Sequence, residues 1–414
     1  MNKGAGGVVD FDEALQIVRV HANDLATPGK ETAPLLASTG RVLAEAVHAD
    51  RDQPPFDRST RDGFAVRASE FGAGALRVAG QVRAGEQWQG GALETGAAIE
   101  IMTGAPIPQG ADAVVMVEHV ERADKAIRGT GGRTIRSGEN IVPRGAEARV
   151  GEVVLPAGTI LHGAEIALAA ACGASMPTVF QRPRVAIAAT GDELVEIDDT
   201  PGPQQIRNSN SYGLAAMIAE AGGEAVRLPI ARDNRAELEE IIRSARNCEL
   251  MLLSGGVSMG EYDFVEEVLQ SLGAEFFFTG VRMQPGKPVV FGRLPAAGGS
   301  PAQFFFGLPG NPISTQVTFH CFVEPMLRTM GGTTASGPRF AQATLAEDVA
   351  AKPGLMRILP ARLTADRLRP NVRLVSWQGS GDLAANARAN CYAVLPPEKE
   401  RFAAGDVITI LLRE

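Results

Sequence analysis

Five short polar runs in this 414-residue chain have residue types and spacings suited to chemistry on an anion. They are Thr190-Gly191-Asp192-Glu193-Leu194, Arg232-Asp233-Asn234, Ser254-Gly255-Gly256-Val257-Ser258-Met259-Gly260-Glu261-Tyr262-Asp263, Pro285-Gly286-Lys287-Pro288 and Gly307-Leu308-Pro309-Gly310-Asn311-Pro312. The third joins a strand-like run to a helix-like one. Its glycines let backbone come close to an anion, and the following helix start offers free N–H groups, so it reads as a phosphate cradle with Ser254, Gly255, Gly256 and Ser258 as contacts. Tight packing explains a Gly-Gly turn equally well, and Gly-Asn-Pro also reads as an N-cap with proline at the first helical position. Glu193, Asp233 and Asp263 would repel a phosphate unless a hard cation intervened. Mg²⁺ does this with one or two carboxylates plus phosphate oxygens. The alternative for each carboxylate is a helix cap or solvent.

These runs need a scaffold that places them together. From Arg184 to Met330 the pattern alternates strand and helix: strand 184–190, helix 211–221, strand 225–230, helix 235–246, strand 249–253 and helix 261–272. Leu238, Ile241, Ile242 and Ala245 sit at i, i+3, i+4 and i+7, whereas the strands are unbroken apolar runs, as in a sheet covered on both faces. This predicts an α/β domain with a doubly wound parallel sheet over 183–331, whose ligands bind outside the carboxyl ends of the strands. Further strands are expected at 275–281, 288–291 and 303–307, then a helix over 311–330. The chain as a whole reads as multidomain. Asp10 and Glu13 form a capping-box pattern before an amphipathic helix of Phe11, Ala14, Leu15, Val18, Ala22 and Leu25. That helix is assigned, with 138–182, to an elongated N-terminal domain of residues 1–50 plus 138–182. Short β runs between turns over 51–137 predict an inserted β domain, and 332–414 a C-terminal small β-barrel domain.

Composition limits the function. Lys plus Arg number 40 against 48 Asp plus Glu, a formal charge of −8, so no bulk positive field attracts nucleic acid or an anionic membrane. No apolar run approaches the ~20 residues of a membrane helix. The start MNKGAGGVVDFDEAL lacks an apolar signal core, and the single cysteines Cys172, Cys248, Cys321 and Cys391 include no CxxC, which predicts a reducing, cytoplasmic setting. His21, His48, His119, His162 and His320 lack ligand spacing. Neither GxxxxGK[ST] nor a GxGxxG after the first strand of the α/β domain is present, which disfavours ATPase and dehydrogenase chemistry.

In this order the motifs resemble the molybdopterin molybdenumtransferase family, the MoeA type that includes the gephyrin E domain. Phe56 to Val66 (FDRSTRDGFAV) resembles the family's FDNSAMDGYAV, and Ile101-Met102-Thr103-Gly104-Ala105 with Gly110 to Val115 resembles its IMTGAP/GADAVV element. TGDEL, SGGVSMGxxD, PGKP and LPGNP complete the series. The resemblance implies a homodimer that inserts molybdenum from molybdate into adenylylated molybdopterin, releasing AMP in a Mg²⁺-dependent step. It implies catalytic roles for Asp62, Thr103, Glu193, Asp233 and Asp263, the last three also holding metal. Ser254, Gly255, Gly256, Ser258, Lys287, Pro309, Gly310, Asn311, Pro312, Ser314, Arg357 and Ser380 would contact substrate. Gly280, Gln284 and Glu147 depart from the family pattern, with Arg282 between the first two. An adenylyltransferase and molybdoenzyme chaperones are implied as partners. An ATP-dependent molybdopterin adenylyltransferase and a gephyrin-like interaction scaffold are the alternatives.

Overall fold

The first helix, α1 (Phe11–Asn23), buries Phe11, Ala14, Val18 and Ala22, one stripe of its surface. The computed structural model describes residues 6–25, 28–256, 264–334, 337–365 and 369–413. In it the stripe of α1 joins the core of the α/β sheet, with the Phe11 ring 5.9 Å from that of Phe322, while Val8–Val9 pair in parallel with Gly280–Val281. The helix expected to belong with 138–182 thus also packs its apolar stripe on the α/β core. The capping box is not formed: the Asp10 side chain makes no cap bond and instead accepts from Arg282 Nη1 at 2.9 Å.

The β insert contains β1 (Gly63–Val66), β2 (Leu76–Val82), β3 (Ala97–Ile101), β4 (Ala113–Met116), β5 (Val120–Ala123) and β6 (Ala126–Gly129), in sheet order β4-β1-β3-β2-β6-β5. Its two faces carry separate apolar clusters, one around Phe64, Phe71 and Ile127 and one around Ala65, Ile99 and Ile101. Helix α2 (Gly163–Ala171) follows, with Ala169 packed beside Leu43, Leu161 and Val179.

The α/β domain runs β7 (Arg184–Ala189), α3 (Ser209–Glu220), β8 (Glu224–Arg227), α4 (Arg235–Ser244), β9 (Leu250–Ser254), α5 (Phe264–Ser271), β10 (Glu275–Phe278), β11 (Val290–Leu294) and β12 (Gln303–Leu308). Its order is β8-β7-β9-β12-β11-β10, parallel from β8 to β12. β11 alone runs against its neighbours, and the connections on both sides of it, 279–289 and 295–302, contain no crossover helix of the kind parallel neighbours need. Every residue of β9 is buried, as expected of a central strand covered on both faces. The predicted helix over 311–330 divides into α6 (Pro312–Thr318), a wide π turn at Phe319–Val323 and α7 (Glu324–Met330). Pro325 has no N–H to return to the carbonyl four residues earlier, and the ladder widens there.

The C-terminal strands β13 (Phe340–Leu345), β14 (Met356–Ala365), β15 (Pro370–Leu374), β16 (Cys391–Leu395) and β17 (Val407–Leu412) close on themselves as β14-β15-β13-β17-β16-β14, a five-stranded barrel. Helix α8 (Leu383–Arg388) lies between β15 and β16. The barrel is tied to the α/β domain by parallel pairing of Met283–Gln284 with Met356–Arg357, by the Ile313 amide donating to Ser380 O (2.9 Å), and by Asn386 Nδ2 donating to Gln316 Oε1 (2.6 Å). No helix among the described residues is long and apolar enough to cross a membrane.

Candidate active site

At the carboxyl ends of β7, β9 and β12 the chain must turn outward, and the turns converge on a cavity of about 800 Å³. Glu193, Asp233, Ser254, Gly255, Gly256 and Pro309 to Pro312 all line it, with Gly381 and Leu383 of the C-terminal region closing one side. A neighbouring cavity of about 460 Å³ shares Pro288 and is lined by Lys287, Ser314 and Ser380. Most of the residues expected at the site are therefore gathered in two adjoining compartments. Ser258 and Asp263 lie outside the described residues.

Local geometry explains the residue types. Gly191 has φ +145°, and a Cβ there would fall 2.3 Å from Glu193 Oε2, so glycine lets the Glu193 carboxylate fold back over the turn. Gly255 and Gly256 have φ of +94° and +64°, and a Cβ on them would meet Thr190 O at 2.6 Å and Thr190 Oγ1 at 2.7 Å. Close packing against Thr190 thus accounts for these glycines as directly as approach by a ligand does. The cradle is also narrower than its glycines suggest, because the Gly255 amide already donates to Leu308 O at 3.1 Å. The amides of Gly310 and Asn311 have no acceptor among the described residues.

The acids at the cavity have no partner within the protein among the described residues. Glu193 and Asp233 are exposed to the cavity, and among the described residues neither carboxylate accepts a hydrogen bond or forms an ion pair. Arg207 and Lys287 are the cations among the residues lining the two compartments. No group of three His, Cys, Asp or Glu among the described residues could hold a metal unaided. The pair fits instead the manner in which Mg²⁺ binds with one or two carboxylates and substrate phosphates.

Other expected residues lie apart. Asp62 Oδ1 accepts from the Thr103 amide (2.7 Å) and hydroxyl (3.0 Å) in the β insert, and neither residue lines either compartment. The Thr103 amide, then its hydroxyl, hold the Asp62 carboxyl below its ordinary range, so it stays ionised. Arg357 faces Gln284 in the strand register but donates to Lys352 O at 3.3 Å and lines neither compartment. Arg282 is turned to Asp10. Gly280 sits under Val8, whose Cγ2 would be 3.1 Å from a Cβ there, and Glu147 pairs with Arg58.

Asn210 was not expected. Its Nδ2 donates to Ser254 Oγ (3.1 Å) and Gly310 O (2.8 Å), bracing the glycine turn against the Pro-Gly-Asn-Pro turn. The sequence signal was only an Asn-Ser-Asn-Ser run opening a helix, which reads as a cap, and Asn208 does cap α3.

A doubly wound sheet with a polar cavity at its strand ends, joined to a β insert and a closed barrel, defines a multidomain α/β protein with its candidate site at the strand ends. Residues 9–173 match the MoeA N-terminal region (domain I and II), residues 186–329 the probable molybdopterin binding domain, and residues 342–412 the MoeA C-terminal region (domain IV). The chain belongs to the MoeA family. A Nostoc protein named molybdopterin molybdenumtransferase is 36% identical over 390 residues, covering 92% of this chain and 88% of that one. A Synechocystis protein of the same name is 34% identical over 406 residues, covering 96% and 98%. The crystal structure of the molybdopterin biosynthesis MoeA protein from Pyrococcus horikoshii OT3 superposes with a TM-score of 0.78 at 29% identity, covering 98% of this chain and all of that one (100%).

Proposed function

We infer that this chain is a molybdopterin molybdenumtransferase of molybdenum cofactor biosynthesis, acting at the strand-end site. The observation that carries the assignment to this site is that two unpartnered carboxylates, Glu193 and Asp233, share one cavity with the Ser254 turn and the free amides of Gly310 and Asn311. The substrates are adenylylated molybdopterin and molybdate, and the products are AMP and the metal-loaded pterin.

The chain's own groups divide the work. The Ser254 hydroxyl accepts from Asn210, which leaves its proton to donate to a pyrophosphate oxygen, and the Gly310 and Asn311 amides add neutral donors. Lys287 with Ser314 and Ser380 offers a cation and hydroxyls to molybdate in the adjoining compartment. Pro309 and Pro312 fix the turn that lines the larger compartment, and Arg357 would have to leave Lys352 O to reach the oxyanion from the barrel side. Glu193 and Asp233, with Asp263, would hold Mg²⁺, which when bound would offset charge developing on the departing AMP. Asp62 and Thr103 line neither compartment of their own chain, which supports a homodimer in which the insert of one subunit faces the site of the other. This reading places the protein in the cytoplasm, taking substrate from an adenylyltransferase and passing product to molybdoenzyme chaperones.

Purified protein incubated with adenylylated molybdopterin, molybdate and Mg²⁺ is expected to yield AMP and molybdenum-bound pterin by mass spectrometry, without consuming ATP. Conversion of molybdopterin and ATP to the adenylylated pterin, with no AMP release, would identify the adenylyltransferase reaction instead. Failure of both reactions would favour a scaffold.

A further inference from the structure

Away from the strand ends, five arginines and two glutamates line one cavity of about 380 Å³, in a chain whose formal charge is −8. Arg41 and Arg182 come from the segments on either side of the β insert, Arg328 from α7, and Arg339 and Arg413 from the two ends of the barrel; the glutamates are Glu220 and Glu324. This cavity has no residue in common with the two strand-end compartments.

Some of this charge is already used. Arg41 bonds Glu31 and Phe180 O, and Arg413 Nη1 donates to Asn386 O and Ala389 O, both at 2.8 Å. The Glu324 carboxylate is engaged by His320 Nδ1 (2.8 Å) and Arg328 (2.8 Å), with Arg339 Nη2 at 3.5 Å. Three donor groups remain. Arg182 is exposed and has no partner among the described residues. Thr333 and Arg339 line the same cavity, and although Arg339 Nη2 donates to Arg413 O at 3.0 Å, the buried Arg339 Nε and Thr333 Oγ1 likewise lack a partner. Buried donors in native proteins are nearly always satisfied, so an orphaned guanidinium N–H and an orphaned hydroxyl in one cavity call for an acceptor. Burying the guanidinium edge without one is costly. Glu220, which is exposed, and His162 also face the space.

We propose that this junction is a second ligand site, one that takes a small tetrahedral oxyanion. Guanidinium groups present paired N–H donors matched to such an ion, and the hydroxyl adds a third direction. Phosphate, pyrophosphate and molybdate share this chemistry. Because the lining comes from three separate parts of the fold, an occupied site holds them in one arrangement, and occupancy raises the melting temperature by linkage.

The test titrates inorganic phosphate, pyrophosphate and molybdate separately into the full-length protein by calorimetry, with thermal melts alongside. Arg182→Glu leaves every described contact in place and Thr333→Val is nearly isosteric, so melts without anion are expected to coincide with wild type. Saturable binding is expected, weakened at least tenfold by each junction variant and by raised salt, and retained in Lys287→Gln. The anion bound most tightly by wild type but not by Arg182→Glu identifies the source of the ligand. The proposal is overturned if none of the three anions binds saturably at millimolar concentration. It is equally overturned if both junction variants bind as wild type does, or if binding is lost only in Lys287→Gln.

Discussion

Replacing Glu193 and Asp233 together by Gln and Asn is expected to slow AMP release and molybdenum insertion by about 10²–10³-fold, the range typical for loss of preorganised electrostatic stabilisation. Both changes preserve shape, and neither carboxylate takes part in a hydrogen bond or ion pair among the described residues, so the fold has nothing to lose. The deficit should therefore appear in kcat with an unchanged melting curve, and the Mg²⁺ concentration for half-maximal rate should rise. Single-turnover AMP release, measured across a Mg²⁺ series, checks both. A double variant with normal rates at ordinary Mg²⁺ would remove these acids from the reaction.

The second large effect is on stability. Glu324 is 6% exposed yet remains ionised. Burial pushes its carboxyl upward, but the hydrogen bond and charge of His320 and the Arg328 guanidinium more than offset this and hold it below the usual range. Glu324→Ala would leave His320 and two guanidinium groups facing one another with no counter-charge. Breaking such a buried network by removing one partner costs about 3–5 kcal/mol. Denaturant melts should show this loss, whereas Glu324→Gln, which keeps the volume, should lose less. The pH dependence has a defined sign. Because the folded-state pKa lies below the unfolded one, about 4.3, the contribution is fully present above that value. It fades as pH falls through the depressed folded value. Wild type should thus lose stability on acidification more steeply than Glu324→Gln.

The strand-end loops were legible because two signals are local. Apolar runs of strand length alternate with helical periodicity, and Gly, Pro and Asp mark the turns between them. Fold rules then place those turns on one edge, which is why Glu193, Asp233, Ser254 and Pro309 could be grouped before any coordinates. What depends on distant pairing was not legible. The partner of α1 is a surface around Phe322, far along the chain, and nothing in the periodicity of α1 names it. Asp10 reads as a capping residue until Arg282 competes for it. The role of Asn210 depends on two loops that meet only in the fold, and the crowding of Gly255 and Gly256 depends on Thr190 of a neighbouring strand end. In β11 the apolar pattern gave a strand but not its direction, which the flanking connections set.

A crystal structure of the protein with adenylylated molybdopterin tests the central claim most directly. The pyrophosphate should lie in the 800 Å³ cavity, with oxygens within about 3.2 Å of Ser254 Oγ and of the Gly310 and Asn311 amides. Nucleotide-pterin seated elsewhere, with only solvent between Glu193, Asp233 and the Ser254 turn, would contradict it.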